Sequence, residues 1–273
     1  MPRLRIDGVR VHYRELGAGP VVVLLHAGAS FSAQWRKTAE RLSGRYRLVM
    51  PDLYGCGEAE PWPGPPEQRT HDREAQLMRG LIAQLGEPVH LVGHSLGGAI
   101  AMRLVLKSST DILSLALIEP ISAYSLLRHG NEEQHYKELS ELSERFIAKA
   151  GQVKEEEAWH EFIDWSNRPG TWDALTPEAR RGLCEMTAAT LSVFHSNLNH
   201  ETTLAECASI AVPTLAIFGD ETIACYRRLT EIAAEHIPGC GLERIAGAGH
   251  MSPVTHPETL AAILGRHFGS IQA

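Results

Sequence analysis

The sequence predicts an α/β fold: a mostly parallel sheet flanked by helices, with an inserted helical cap. Three observations carry this. Apolar β-branched runs alternate with helix-length amphipathic segments. The runs are continuously apolar, as strands buried on both faces must be. Residues 121–205 then break the alternation, with helical periodicity and no convincing strand.

In chain order, Arg5–Ile6 and Val9–Tyr13 alternate around Asp7-Gly8, which reads as an antiparallel entry hairpin. Val21–Leu25 is the first buried strand, and Arg47–Met50, Val89–Val92, Leu113–Ile118 and Thr214–Phe218 have the same character. Leu242–Ile245 is a weaker candidate. Helical patterns fall at about 32–43, 71–85, 96–107, 223–236 and 257–268. The core is therefore expected to comprise 1–120 and 206–273, with the cap at 121–205. The insertion holds three of the five tryptophans, Trp159, Trp165 and Trp172, and its 14 acidic and 8 basic residues give −6 of the net −7 charge. Pro61-Trp62-Pro63-Gly64-Pro65-Pro66 is a rigid loop.

At 273 residues with 44% hydrophobic and 22% charged residues, the chain has enough apolar material for one large core and is not disordered. No apolar run approaches the ~20 residues that span a bilayer, and Met1 to Asp7 lacks the apolar stretch of a secretory leader. The mild acidity and lack of a basic block argue against nucleic acid and anionic membranes, leaving a small-molecule substrate as the expected partner. Cys56, Cys184, Cys207, Cys225 and Cys240 are odd in number and widely spaced, so reduced thiols and a cytoplasmic location are expected. The 14 histidines form no metal-ligand spacing, and neither metal nor cofactor is expected.

Gly93-His94-Ser95-Leu96-Gly97 follows a strand and opens a helix, the context of a G-x-S-x-G nucleophile elbow. A turn that tight projects the Ser95 hydroxyl above the sheet, at a helix N-terminus that favours developing negative charge. Serine needs an adjacent base. His250, in the Gly-rich loop Ala246-Gly-Ala-Gly-His after the last strand, is the candidate. His256 reads as a capping or surface residue and His94 as a packing residue. The turn His26-Ala27-Gly28-Ala29 can aim a backbone N–H at a substrate oxygen, so the N–H groups of Gly28 and Leu96 are the candidate oxyanion hole, and His26 reads as a loop-fixing residue.

With these motifs the sequence resembles the α/β-hydrolases over nearly its whole length, Asp52-Leu-Tyr-Gly-Cys-Gly included. Ala27 and Cys56 stand where many relatives have Gly and His. The resemblance implies a triad acid, which relatives commonly carry as G-x-x-D after the strand ending at Phe218. Here that stretch is Gly219-Asp220-Glu221-Thr222, and threonine holds the acid's place. Asp220 or Glu221 would serve only in a rearranged loop. Another branch, typified by haloalkane dehalogenases, places a Glu at the end of the preceding strand, which matches Glu119 in Leu117-Ile118-Glu119-Pro120. Those enzymes and the epoxide hydrolases use an Asp nucleophile, and Ser95 excludes that chemistry. The implied activity is hydrolysis of a carboxylic ester, thioester, lactone or amide. The alternatives are carbon–carbon bond hydrolysis of a ring-cleavage diketone, or a slow-turnover ligand receptor on the same fold. Trp35, Trp159, Phe162 and Trp165, with Trp172 and Phe194, are candidates for lining an apolar substrate pocket.

Overall fold

The computed structural model describes residues 3–107, 110–152 and 154–271. Met1, where the leader reading begins, and residue 153 of the insertion lie outside them. The strands are β1 (Arg3–Ile6), β2 (Val9–Leu16), β3 (Val21–Leu25), β4 (Arg47–Pro51), β5 (Val89–His94), β6 (Ile112–Ile118), β7 (Thr214–Gly219) and β8 (Gly241–Ile245). They form one sheet in the order β1-β2-β4-β3-β5-β6-β7-β8. β1 and β2 pair antiparallel with each other, and β2 with β4, while every pairing from β4 to β8 is parallel.

The helices that follow the sheet strands are α1 (Arg36–Leu42), entered through a 3-10 turn at Ser32–Trp35, α2 (His71–Leu85) and α3 (Leu96–Lys107). Between β6 and β7 the described residues are helical: α4 (Ser125–His129), α5 (Glu133–Ala150), α6 (Glu155–Ser166), α7 (Thr171–Ala174), α8 (Pro177–Glu185), α9 (Thr187–Asn199) and α10 (Leu204–Ser209). α11 (Ala224–His236), α12 (Ser252–Thr255) and α13 (Pro257–Gly269) complete the chain. The sequence boundary at 205/206 falls inside α10, which begins at a Thr203–Glu206 capping box and packs on α11.

The sheet is buried on both faces, which is why its central strands read as unbroken apolar runs. Val21, Val23 and Leu25 point into a core shared with α2, α3 and α11. Val22 and Leu24 point into the opposite core, with Leu42 of α1 and Leu260 and Leu264 of α13. The edge strand β8 is mostly exposed, which explains its weak sequence signal. A third, smaller cluster, Phe146, Ala158, Trp159, Trp172 and Phe194, lies wholly within the inserted helices. None of the described helices is long and apolar enough to cross a membrane.

Candidate active site

The turn from β5 to α3 puts Ser95 in the left-handed region, at φ +56°. A side chain there is strained, and the surrounding glycines make room for the turn. A Cβ on Gly93 would run into the Gly97 carbonyl, and one on Gly97 into the Leu25 carbonyl. The Ser95 N–H donates to the Ile118 carbonyl at 2.9 Å, tying the turn to the end of β6.

One residue beyond that end, Glu119 is itself left-handed, at φ +40°, and fully buried. A buried carboxylate needs partners, and this one has three. Oε1 accepts the Gly219 N–H at 2.9 Å, while Oε2 accepts the Thr222 hydroxyl at 2.8 Å and pairs with His250 Nδ1 at 2.7 Å. The structure thus brings His250 to Glu119 and not to the turn after β7. Asp220 points elsewhere: its Oδ1 accepts the Gly247 N–H at 2.6 Å, bracing the loop that leads to His250. Glu221 is exposed. Thr222 is a site residue that sequence reasoning passed over. Its signal is a hydroxyl in the customary place of a carboxylate, from which it donates to Glu119.

With Nδ1 engaged by Glu119, Nε2 is the ring nitrogen left to His250. The ring packs between His94, at 4.7 Å between centroids, and Tyr226, at 4.9 Å. His94 is more than packing. Its Nε2–H donates to the His250 carbonyl at 2.9 Å, and its Nδ1 accepts from the Gln34 amide at 3.1 Å. Gln34 Oε1 in turn accepts the Ala27 N–H at 3.3 Å. A chain of hydrogen bonds therefore joins the loop after β3, the turn bearing Ser95 and the loop bearing His250. His94 must be neutral to play both parts, and burial, reinforced by the nearby His250, holds its pKa well below the usual histidine value.

His26 fixes its loop in the same manner. Nδ1–H donates to the Ala27 carbonyl at 2.7 Å and Nε2 accepts the Leu53 N–H at 2.9 Å. Burial lowers its pKa to about 4. Among the described residues the N–H groups of Gly28 and Leu96 have no backbone or side-chain acceptor, whereas Ser95, Gly97 and Gly98 donate to the carbonyls of Ile118, His26 and Ser95. The side chains of Val193 and Leu96 flank Gly28.

Helix α9 reaches this loop through Val193, which lies against Gly28. Ala189 abuts Gly55, and Ser192 accepts from Arg69 Nη1 at 2.8 Å. Arg69, almost fully buried, also pairs with the equally buried Glu74. Cys56, where a histidine was noted as common, is buried, which pushes its thiol up to about 12.

The aromatic expectations divide. Trp35 is fully buried in the core between the sheet and α1, edge-on to His94 at 6.4 Å, because the 3-10 turn feeds directly into α1. It packs beneath the site and faces away from the inserted helices. Trp159 is also fully buried, its Nε1–H donating to the Thr187 hydroxyl at 2.9 Å. Trp172 lies in the same helical core. Phe162 is half-buried against Phe194 at 5.3 Å, and Trp165 half-buried against Tyr226 at 5.9 Å. His256 precedes α13 without capping it, and its Nδ1 bonds the Thr255 hydroxyl at 2.9 Å.

Comparison with known proteins agrees with this architecture. A dihydrolipoyllysine-residue acetyltransferase component of an acetoin cleaving system from Cupriavidus necator is 26% identical over 97% of this chain and 68% of its own length. A soluble epoxide hydrolase from Corynebacterium sp. is 24% identical over 93% of this chain and 91% of its own. Among solved structures, a thermophilic esterase from Thermogutta terrifontis superposes over the whole of both chains with a TM-score of 0.76 at 21% identity. An esterase from Exiguobacterium antarcticum gives 0.75 at 21% over 97% of each chain. The model of the α/β-hydrolase family matches residues 22–263, and the chain belongs to that family.

Proposed function

We propose that the protein is a serine hydrolase that cleaves a carboxylic ester, or a related thioester, lactone or amide, through an acyl-enzyme on Ser95. The observation that carries this is the 2.7 Å contact of His250 Nδ1 with the buried Glu119, in a loop packed against the strained turn of Ser95. Glu119 fixes the tautomer with the proton on Nδ1, so Nε2 is basic and takes the Ser95 proton as Oγ attacks the carbonyl carbon. The N–H groups of Gly28 and Leu96 hold the resulting oxyanion, in a setting where Ser95 is only 6% exposed and water competes poorly. Collapse breaks the bond to the leaving group, which departs with the proton that Nε2 had taken from Ser95. Water then repeats the sequence on the acyl-enzyme. Ala29 packs against the aromatic cluster of the inserted helices, so the acyl group meets an apolar wall, with Phe162 the half-buried aromatic in it.

The test is a panel of short esters, thioesters, lactones and amides, with a dienoate diketone included, using Ser95→Ala as the blank. Turnover of acyl compounds that vanishes in the blank supports the reading. Turnover of the diketone alone replaces it with carbon–carbon hydrolysis.

A further inference from the structure

His250 is enclosed on most sides: Glu119 holds Nδ1, and His94 and Tyr226 pack on the ring. His250, its side chain 11% exposed, is one of the residues lining a cavity of about 330 Å³ between the connection from α6 to α7 and the loops after β7 and β8. Its polar lining comes from Asn167, Arg168 and Thr171 of the inserted helices and from Glu221 and His256 of the core, with Met251 and two glycines completing the wall. Arg168 stands apart in its pairing. Arg128, Arg145, Arg180 and Arg181, the other arginines of the insertion, each meet a carboxylate: Glu201, Glu161, Asp173 and Glu178. Among the described residues the Arg168 guanidinium meets none, in a segment with 14 acidic residues. The arginine left unpaired is the one on the cavity beside the proposed base.

We propose that this cavity is the leaving-group site, and that it selects acyl compounds whose alcohol portion carries an anion, held by Arg168. The inference rests on the serine-hydrolase reading in one respect: the imidazolium gives its proton to the departing oxygen, which places the leaving group beside His250, a residue that lines this cavity. The acyl portion then lies toward the apolar wall at Ala29 and the anion toward Arg168. No new bond or redox change is involved beyond ester cleavage. Glu221 lines the same cavity with the opposite charge and opposes the anion, which makes the assignment testable in both directions.

The experiment compares O-butyryl-lactate with its uncharged isostere O-butyryl-lactamide, reading the ratio of their kcat/KM values in the wild type, Arg168→Gln and Glu221→Gln. A ratio cancels general damage to the fold. The wild-type ratio is expected to favour the anion, to fall about fivefold in Arg168→Gln, the upper range for a solvent-exposed pair, and to rise in Glu221→Gln. The wild-type preference should shrink as salt is raised from 0.05 to 0.5 M, experimental settings spanning about a threefold change in screening length. In parallel, O-butyryl-lactate binding to Ser95→Ala reads the site without turnover, and Arg168→Gln added to that background should weaken it by a similar factor. Turnover of both esters with one unchanged ratio in all three proteins overturns the leaving-group assignment and leaves the hydrolase reading standing. No turnover of either ester while other compounds of the acyl panel are cleaved overturns the leaving-group assignment; no turnover of any panel compound, with Arg168-dependent binding to Ser95→Ala, overturns the hydrolase reading and supports the anion site.

Discussion

Glu119→Gln is the most exacting test of the site, because the surroundings leave the amide no good orientation. The carboxylate accepts from three donors: the Gly219 N–H on Oε1, and the Thr222 hydroxyl and His250 Nδ1–H on Oε2. With the amide oxygen toward Gly219, the NH₂ faces Nδ1, and the imidazole can accept from it only by moving its own proton to Nε2. That is the tautomer that cannot accept from Ser95. With the amide reversed, two donors confront each other at the buried Gly219 N–H, at a cost of about 1–3 kcal/mol for the unsatisfied group. Both orientations remove the charge that stabilises the imidazolium. In a serine protease the equivalent neutralisation lowers kcat about 10⁴-fold, and a fall of at least ~10² is expected here. The assay is kcat on an ester found in the panel, with folding checked by thermal melting. Asp220→Asn, which weakens only the brace to Gly247, is the control and should retain most activity. A folded Glu119→Gln protein with more than a tenth of wild-type kcat refutes the assignment, as does loss of activity confined to Asp220→Asn.

Three further outcomes are expected. Ser95→Ala should keep the fold and lose the fluorophosphonate adduct seen by intact mass, with residual turnover of about 10³-fold over water at most; labelling at another residue would displace Ser95. His94→Phe keeps a ring against Trp35 but leaves the Gln34 amide and the His250 carbonyl without their partner, so denaturant melts should show a loss of about 1–3 kcal/mol, and wild-type stability would show that the chain through His94 is idle. His26 has a folded pKa of about 4 against an ordinary value of 6.5, so the unfolded chain binds its proton first as pH falls; its stabilisation is complete above pH 6.5 and is lost toward pH 4, by about 3 kcal/mol. A stability curve flat between pH 7 and 4.5 would contradict this.

The sheet was legible because a strand buried on both faces leaves a dense apolar signature. Val21–Leu25 was bounded to the residue, and β8, exposed on most of its length, was faint. The placement of Ser95 and His250 followed from glycine spacing, since only small residues permit the turns that carry them. Glu119 was a choice among carboxylates, and what separates it from Asp220 is hydrogen bonding across about a hundred residues of chain, which no local pattern encodes. Trp35 misled for a related reason. An aromatic beside a reactive loop reads alike whether it turns toward the cap or beneath the sheet. Arg168 was invisible because its distinction is the lack of a partner that its neighbours have.

The place of Glu119 just after β6 also divides the proposed site mechanically. Ser95 and Glu119 follow adjacent parallel strands in register, His94 opposite Ile118, and each is pinned by a backbone bond to the next strand, Ser95 to Ile118 and Glu119 to Ile217. Their separation is therefore set by the sheet, the stiffest part of the molecule. The histidine alone rides on a loop. On heating or in mild denaturant, activity should be lost while the sheet is intact, at the point where the Gly247–Met251 segment lets go of Asp220 and His94. Mutations that stiffen that segment would extend the working range of the enzyme without raising its melting temperature.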